Sequence, residues 1–283
     1  MNYRMNMTNR VNKKIEEYYD DTQILFNLLW SKAHHYGFWD RETKKLSEAV
    51  ENTNRFVSEL LHLQKNDHVL DAGCGVGGSS FFMAENFGVK IIGITLSSKQ
   101  IKQARKDAEK LQLGNSVSFE IMDFNNTRFK DETFTKVFSI EGACYACDKL
   151  DFLREAYRLL TTGGKIVIVD GFLIKKSLSE KEKEIYDNCL LGWKGDNLSL
   201  KDDFLNDLRN LGFKNIKFYD KTDEVMPSSR RMALYGHLFF PVTFILSKLK
   251  LIPKNIYEHT VACINQKKAL QNFTIYGVFY AEK

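Results

Sequence analysis

The sequence predicts an α/β fold: a doubly wound, seven-stranded, mostly parallel sheet with a helical N-terminal cap and inserted lid helices. Two observations predict it. From Val69 onward, short β-branched or apolar runs alternate with amphipathic stretches, the texture of strand–helix–strand units. A glycine-rich segment, 69–80, also lies between the first such run and a helical stretch, where a sheet of this kind turns from strand into helix.

Residues 1–62 read as the cap, helical in pattern and rich in aromatics: Tyr18, Tyr19, Phe26, Trp30, Tyr36, Phe38 and Trp39. Two readings stay open for these rings. They are core residues at helical spacing, or a lid in which Tyr18, Tyr19 and Trp30 line a pocket, exclude water and offer ring faces to a cation. Residues 63–175 carry five strand-like runs, at 68–72, 90–96, 117–123, 136–141 and 165–170. Ser97 followed by Gln100 reads as a capping box opening a helix to Leu111, and 150–160 reads as a helix closed by a Gly163-Gly164 turn.

Residues 176–283 add helical stretches at 177–192, 201–211, 227–249 and 254–271, with strand-like runs at 215–222 and 273–282 that complete the sheet. All three prolines (227, 241, 253) fall here, at expected helix starts or kinks. With no repeat and no low-complexity linker, the three parts read as one compact domain.

Composition sets outer limits. A chain of 283 residues, 43% hydrophobic and 27% charged, has an ordinary globular balance. A net charge of +5 permits an anionic small molecule or a lipid surface as partner without requiring nucleic acid. Five scattered cysteines suit free thiols in a reducing compartment, and MNYRMNMTNR lacks an apolar leader core, so a cytoplasmic location is expected. The most apolar stretch, 232–252, is interrupted by His237, Pro241, Lys248 and Lys250.

The glycine turn carries the chemistry. Gly73, Gly75 and Gly77 would let the backbone pass close to a ligand beside a helix N-terminus, but Gly73, Gly75 and Gly78 also fit the dinucleotide pattern. Asp71 decides against a diphosphate, which it would repel, and for a ligand with an ammonium, such as a methionine tail. The second strand ends in Gly-Ile-Thr-Leu without the acid that a dinucleotide ribose usually meets. The third ends in Met122-Asp123-Phe124, where Asp123 would accept from an adenine amino group while Phe124 covers the ring.

These residues resemble the class I S-adenosylmethionine-dependent methyltransferases. D-A-G-C-G-V-G-G, G-I-T-L-S-x-x-Q and M-D-F are similar to their small-molecule branch, the sterol and tocopherol C-methyltransferases. The likeness extends through I-E-G-A-C-Y at 140–145, Gly163-Gly164-Lys165 and the upstream stretch from Trp30 to His34-His35-Tyr36-Gly37-Phe38-Trp39. It implies a Rossmann-like sheet with S-adenosyl-L-methionine as cofactor, Thr95, Leu96 and Gln100 at the ribose, and Tyr36 near the methionine end. It also places Gly192-Trp193 and Asn197-Leu198 in a lid, making Trp193 an acceptor contact.

The expected acceptor is small and lipophilic, isoprenoid, sterol-like, quinone or polyketide, with carbon as the expected methylated atom; a small polar metabolite methylated at N or O is the alternative. Glu141, at a strand end where α/β ligands bind, would act as a base or stabilise a cation, its bland reading being a helix cap or ion pair. Tyr145 stands where relatives often have His, and it would need a lowered pKa to take a proton. Tyr19 joins them as a catalytic candidate. Arg230, in the pair opening an apolar helix, is the candidate for an anionic head. With Lys248 and Lys250 behind it, that helix also suits peripheral membrane contact, and a homo-oligomer is compatible with the sequence.

Rivals are weaker. No proline precedes residue 227, which removes the Asn-Pro-Pro and Pro-Cys loops of base-modifying enzymes, and no basic stripe suggests nucleic acid. Cys144-x-x-Cys147 lacks partners at zinc spacing, so no metal is expected. A nicotinamide oxidoreductase and a non-catalytic cofactor-binding module are the remaining alternatives.

Overall fold

The computed structural model describes residues 2–30, 33–146 and 148–283, and their side chains outside 2–11, 24 and 26–28. The Phe26 ring and Cys147 therefore lie outside the described residues. Seven strands form one sheet: β1 (His68–Ala72), β2 (Lys90–Thr95), β3 (Val117–Ile121), β4 (Phe134–Ile140), β5 (Leu160–Leu173), β6 (Lys214–Asp220) and β7 (Thr274–Glu282). Their order is β3-β2-β1-β4-β5-β7-β6, all neighbours being parallel except the β5–β7 and β7–β6 pairs. The fold is thus the doubly wound, Rossmann-like α/β sheet that the alternation predicts. The order reverses between β1 and β4, so a crevice opens beyond their carboxyl ends.

Successive side chains on β5 face opposite sides of the sheet. Ile166 and Ile168 pack with Leu70, Val137, Phe152, Phe204 and Phe279, whereas Val167 and Val169 pack with Val69, Ile91, Phe119, Phe138 and Val278. Nine helices cover the two faces among the described residues: α1 (Asn2–Leu29), α2 (Leu46–Leu61), α3 (Gly78–Phe87), α4 (Ser98–Lys110), α5 (Lys149–Leu159), α6 (Glu180–Trp193), α7 (Lys201–Asn210), α8 (Thr222–Lys248) and α9 (Lys254–Asn272).

Three local readings change. Gly163-Gly164 forms no turn: α5 passes directly into β5, and the glycines occupy an irregularity where Phe134 pairs with Leu160 but Lys136 with Lys165. The pair bonds instead to the chain end, Gly163 N–H to the Lys283 carbonyl and Lys283 N–H to that of Gly164, both at 2.9 Å. The capping box of α4 is half made. Ser97 Oγ accepts from Gln100 N–H, but the Gln100 side chain accepts from Thr95 Oγ1 at 2.9 Å, a partner across the turn that spacing could not reveal. Finally, α8 begins at Thr222, so both Pro227 and Pro241 lie inside it, each removing one backbone donor.

Candidate active site

The turn after β1 is shaped by backbone that only glycine adopts easily: φ is +94°, +53° and +87° at Gly73, Gly75 and Gly77. The loop after β4 comes so close that a Cβ on Gly142 would lie 2.7 Å from Ser139 Oγ and 2.8 Å from the Ala72 carbonyl. Close contact of these two loops forms the floor of a cavity of about 800 Å³, lined by Asp71, Gly73, Gly75, Thr95, Gln100 and Phe124 among others. Leu96 lines it too. Gly77 and Asp123 do not: Gly77 caps α3 against Phe119 and Phe81, and Asp123 accepts from Asn12 and Asn125.

Asp71 is buried, and its carboxylate accepts from Ser80 Oγ at 2.7 Å. Burial pushes its pKa up to about 7, only partly offset by that hydrogen bond. A carboxylate so placed favours a cationic ligand, which would restore its charge. The pocket therefore fits an aminoacyl sulfonium nucleoside: an acid for the ammonium, open backbone at the glycines, polar Thr95 and Gln100 for hydroxyls, and the Phe124 ring beside them.

A second cavity, of about 1080 Å³, lies on the other side of Glu141. Tyr18, Tyr19, Trp30, Tyr36, Trp193 and Tyr276 supply rings to its wall, with Asn197 and Leu198 nearby. Tyr19, His34, His35, Glu141 and Tyr145 line both cavities, so these five residues mark the junction. The N-terminal aromatics accordingly divide: Tyr18, Tyr19, Trp30 and Tyr36 face the cavity, while Phe38 packs into the core. Tyr36 lines the second cavity rather than the first, and Gly37 lines neither, seated against Ala49.

Glu141 is held at φ +54°, in the left-handed region, which turns its carboxylate toward the junction. Its Oε1 accepts from Tyr36 N–H and from the Tyr276 hydroxyl, each at 2.7 Å. Burial still wins and pushes it up to about 7. Asp170, within the carboxyl half of β5, accepts from Cys144 N–H at 2.7 Å and Gly171 N–H at 2.8 Å, fixing the loop after β4; burial pushes it up to about 6.

Burial raises the phenols of Tyr19 and Tyr145 above their ordinary range. Proton acceptance by Tyr145 would need the opposite shift, so both rings stand as neutral walls, packed edge to face with centroids 5.6 Å apart. His35 donates from Nδ1 to the Tyr36 carbonyl at 2.7 Å, leaving Nε2 as the acceptor toward Ser79 Oγ. Arg230 is exposed on α8 and lines neither cavity. No group of three or more His, Cys, Asp or Glu suited to a metal occurs among the described residues.

The sequence reading missed Tyr276, Asp170, His259 and Gln266, all on the second cavity. Asp170 closes the strand-like run 165–170 of the sequence, the same signal that marked Glu141, although β5 itself continues to Leu173. The others come from α9 and β7, more than a hundred residues from the turn they face.

Residues 6–190 match the family model described as mycolic acid cyclopropane synthetase. The chain belongs to that family. It is accordingly an S-adenosylmethionine-dependent methyltransferase, as the glycine turn led us to expect. Tocopherol O-methyltransferase of Arabidopsis thaliana is 32% identical over 237 residues, 78% of this chain and 68% of that one. Phosphoethanolamine N-methyltransferase 3 of the same plant is 35% identical over 182 residues, 64% of this chain but 36% of its own length. The cyclopropane synthase MmaA2 from Mycobacterium tuberculosis shares the fold, with a TM-score of 0.83 at 15% identity, covering 96% of this chain and 98% of that one.

Proposed function

We propose that this methyltransferase delivers its methyl group to a small, mainly apolar acceptor held in the ring-lined cavity, with Glu141 at the point of transfer. The supporting observation is the junction: the glycine-turn cavity and the aromatic cavity share Glu141, Tyr19, Tyr145, His34 and His35 as common wall. A donor held on one side and an acceptor on the other would meet at this shared wall, where positioning would supply much of the rate.

When bound, S-adenosylmethionine supplies a methyl on a cationic sulfur. Asp71 holds the ammonium end, its ionised form restored by the cation it binds. Thr95, Leu96, Gln100 and Phe124 hold the nucleoside end. Tyr18, Trp30 and Trp193 enclose the acceptor and exclude water, which would compete for the methyl. Glu141 takes the acceptor's proton, or balances positive charge on it, and a pKa near 7 suits either task at neutral pH. Tyr36 N–H and the Tyr276 hydroxyl fix the direction in which that carboxylate faces. Tyr19 and Tyr145 remain neutral beside it and present ring faces.

The test is label transfer from methyl-labelled S-adenosylmethionine, read by mass spectrometry, across a panel of apolar phenols, prenyl compounds and small polar amines. Label on the apolar members is expected. Label confined to the polar amines would replace this acceptor class with the polar one.

A further inference from the structure

We infer that the α8–α9 arm is a docking face for an anionic lipid bilayer, placed so that an acceptor dissolved in the membrane enters the aromatic cavity directly; this rests on reading that cavity as the acceptor site. Leu234, Leu238, Val242, Ile245 and Leu249 follow one another at steps of three or four residues, so they form one stripe along α8. They are 64%, 64%, 55%, 56% and 62% exposed, and Leu251 in the following turn is 67% exposed. A contiguous apolar face of this kind needs a partner.

Charge selects the partner. Between Val225 and Tyr257 the chain has no Asp or Glu, yet it carries Arg230, Arg231, Lys248, Lys250 and Lys254. Lys254 pairs with Glu258 at 2.7 Å, whereas the other four leave the acid-free segment 225–257 distinctly cationic. A second copy meeting this face by two-fold symmetry would bring two acid-free, cationic segments together. An anionic leaflet answers both features, taking leucines into the acyl boundary and lysines among the headgroups. No helix among the described residues is long and apolar enough to cross a membrane, so α8 would lie in the interface plane.

Continuity gives the face a purpose. A groove of about 870 Å³ runs between α1, α8 and α9, lined by Leu25, Leu29 and Phe239 among others. Trp30, Met232 and His259 line this groove and the aromatic cavity alike. Phe239 belongs to both the groove and the exposed face, so the path leads from the lipid-facing surface to the acceptor site.

Sedimentation of the full chain with vesicles tests this. Binding to vesicles of phosphatidylglycerol and phosphatidylcholine is expected, with little binding to phosphatidylcholine alone and a marked fall at high salt. The double variant Leu238→Glu/Ile245→Glu, altered only at exposed positions, should bind at least about tenfold more weakly, as should Lys248→Glu/Lys250→Glu. Both variants should bind S-adenosylhomocysteine as the parent does, by calorimetry, which separates a failure of docking from a failure of the cofactor site. Parent-like vesicle binding by the variants, or none by the parent, would overturn the inference. So would a dimer in analytical ultracentrifugation that either variant dissolves, since this face would then lie between copies. Loss of label transfer to every apolar acceptor, with vesicle binding intact, would count against the acceptor reading and leave the membrane contact standing.

Discussion

The Tyr276 hydroxyl donates to Glu141 at 2.7 Å, so the antiparallel strand β7 orients the acid that follows β4. The two residues are 135 positions apart in the chain. Their bond stabilises the ionised carboxylate against a burial that disfavours it.

Tyr276→Phe should therefore raise the Glu141 pKa beyond its value of about 7. An ionised Glu141 used as base would then appear only at higher pH, so the acid limb of the rate profile should move alkaline. Glu141→Gln, which keeps an acceptor oxygen for both partners, should spare cofactor binding and slow transfer by roughly a hundredfold or more. Steady-state rates across pH read both effects.

Asp71→Asn should cost about 3 kcal/mol of cofactor binding, roughly a hundredfold in affinity, because a buried charge-assisted contact is lost. In the parent, a proton and the cofactor ammonium compete for one carboxylate whose pKa lies at about 7. Affinity should then fall as pH drops below 7, by up to about tenfold per unit, and this fall should vanish in the variant. Titration calorimetry at several pH values gives the comparison.

Without cofactor the sign reverses for stability. The folded pKa of Asp71, about 7, exceeds its ordinary value of 3.8, so between those values the folded state binds more protons than the unfolded one. This group makes the cofactor-free protein lose stability as pH rises from about 4 to 7. Asn in its place removes that loss. The melting temperature of Asp71→Asn relative to parent should climb across the same window; a constant difference would refute the assignment.

Gly142→Ala places a methyl against Ser139 Oγ and the Ala72 carbonyl, where backbone must yield. Unfolding should become easier by about 2 kcal/mol. Cofactor affinity should weaken as well, since the same contact sets the floor beneath Asp71. Thermal melts and S-adenosylhomocysteine titration measure the two.

Trp193→Ala should act mainly on acceptor KM, the ring being part of the enclosing wall and distant in role from the donor. A change confined to cofactor affinity would move Trp193 out of the acceptor cavity.

Much of this site is legible in sequence because strand order and local turns are written in short spacings. Asp71, the glycines, Thr95, Gln100 and Phe124 all sit within a few residues of a strand end, where α/β sheets bind ligands. Glu141 was marked by the same rule. Local spacing failed where a side chain had a distant alternative: Gln100 turned to Thr95 rather than completing a cap, and the Gly163-Gly164 pair bonded to Lys283 rather than folding a turn. Asp123 likewise found Asn12 and Asn125.

By itself, then, the sequence determined the strand–helix alternation, the glycine bend with its leading acid, and hence the cofactor and the class of reaction. Only the tertiary structure decided which rings face a cavity, that Glu141 stands between two cavities, and that Tyr276, Gln266 and His259 complete the second. The physical reason is range. A strand end and its turn are made by neighbours in the chain, but burial, which shifts the pKa of Asp71 and Glu141 and chooses wall from core, is made by elements brought together only when the sheet closes.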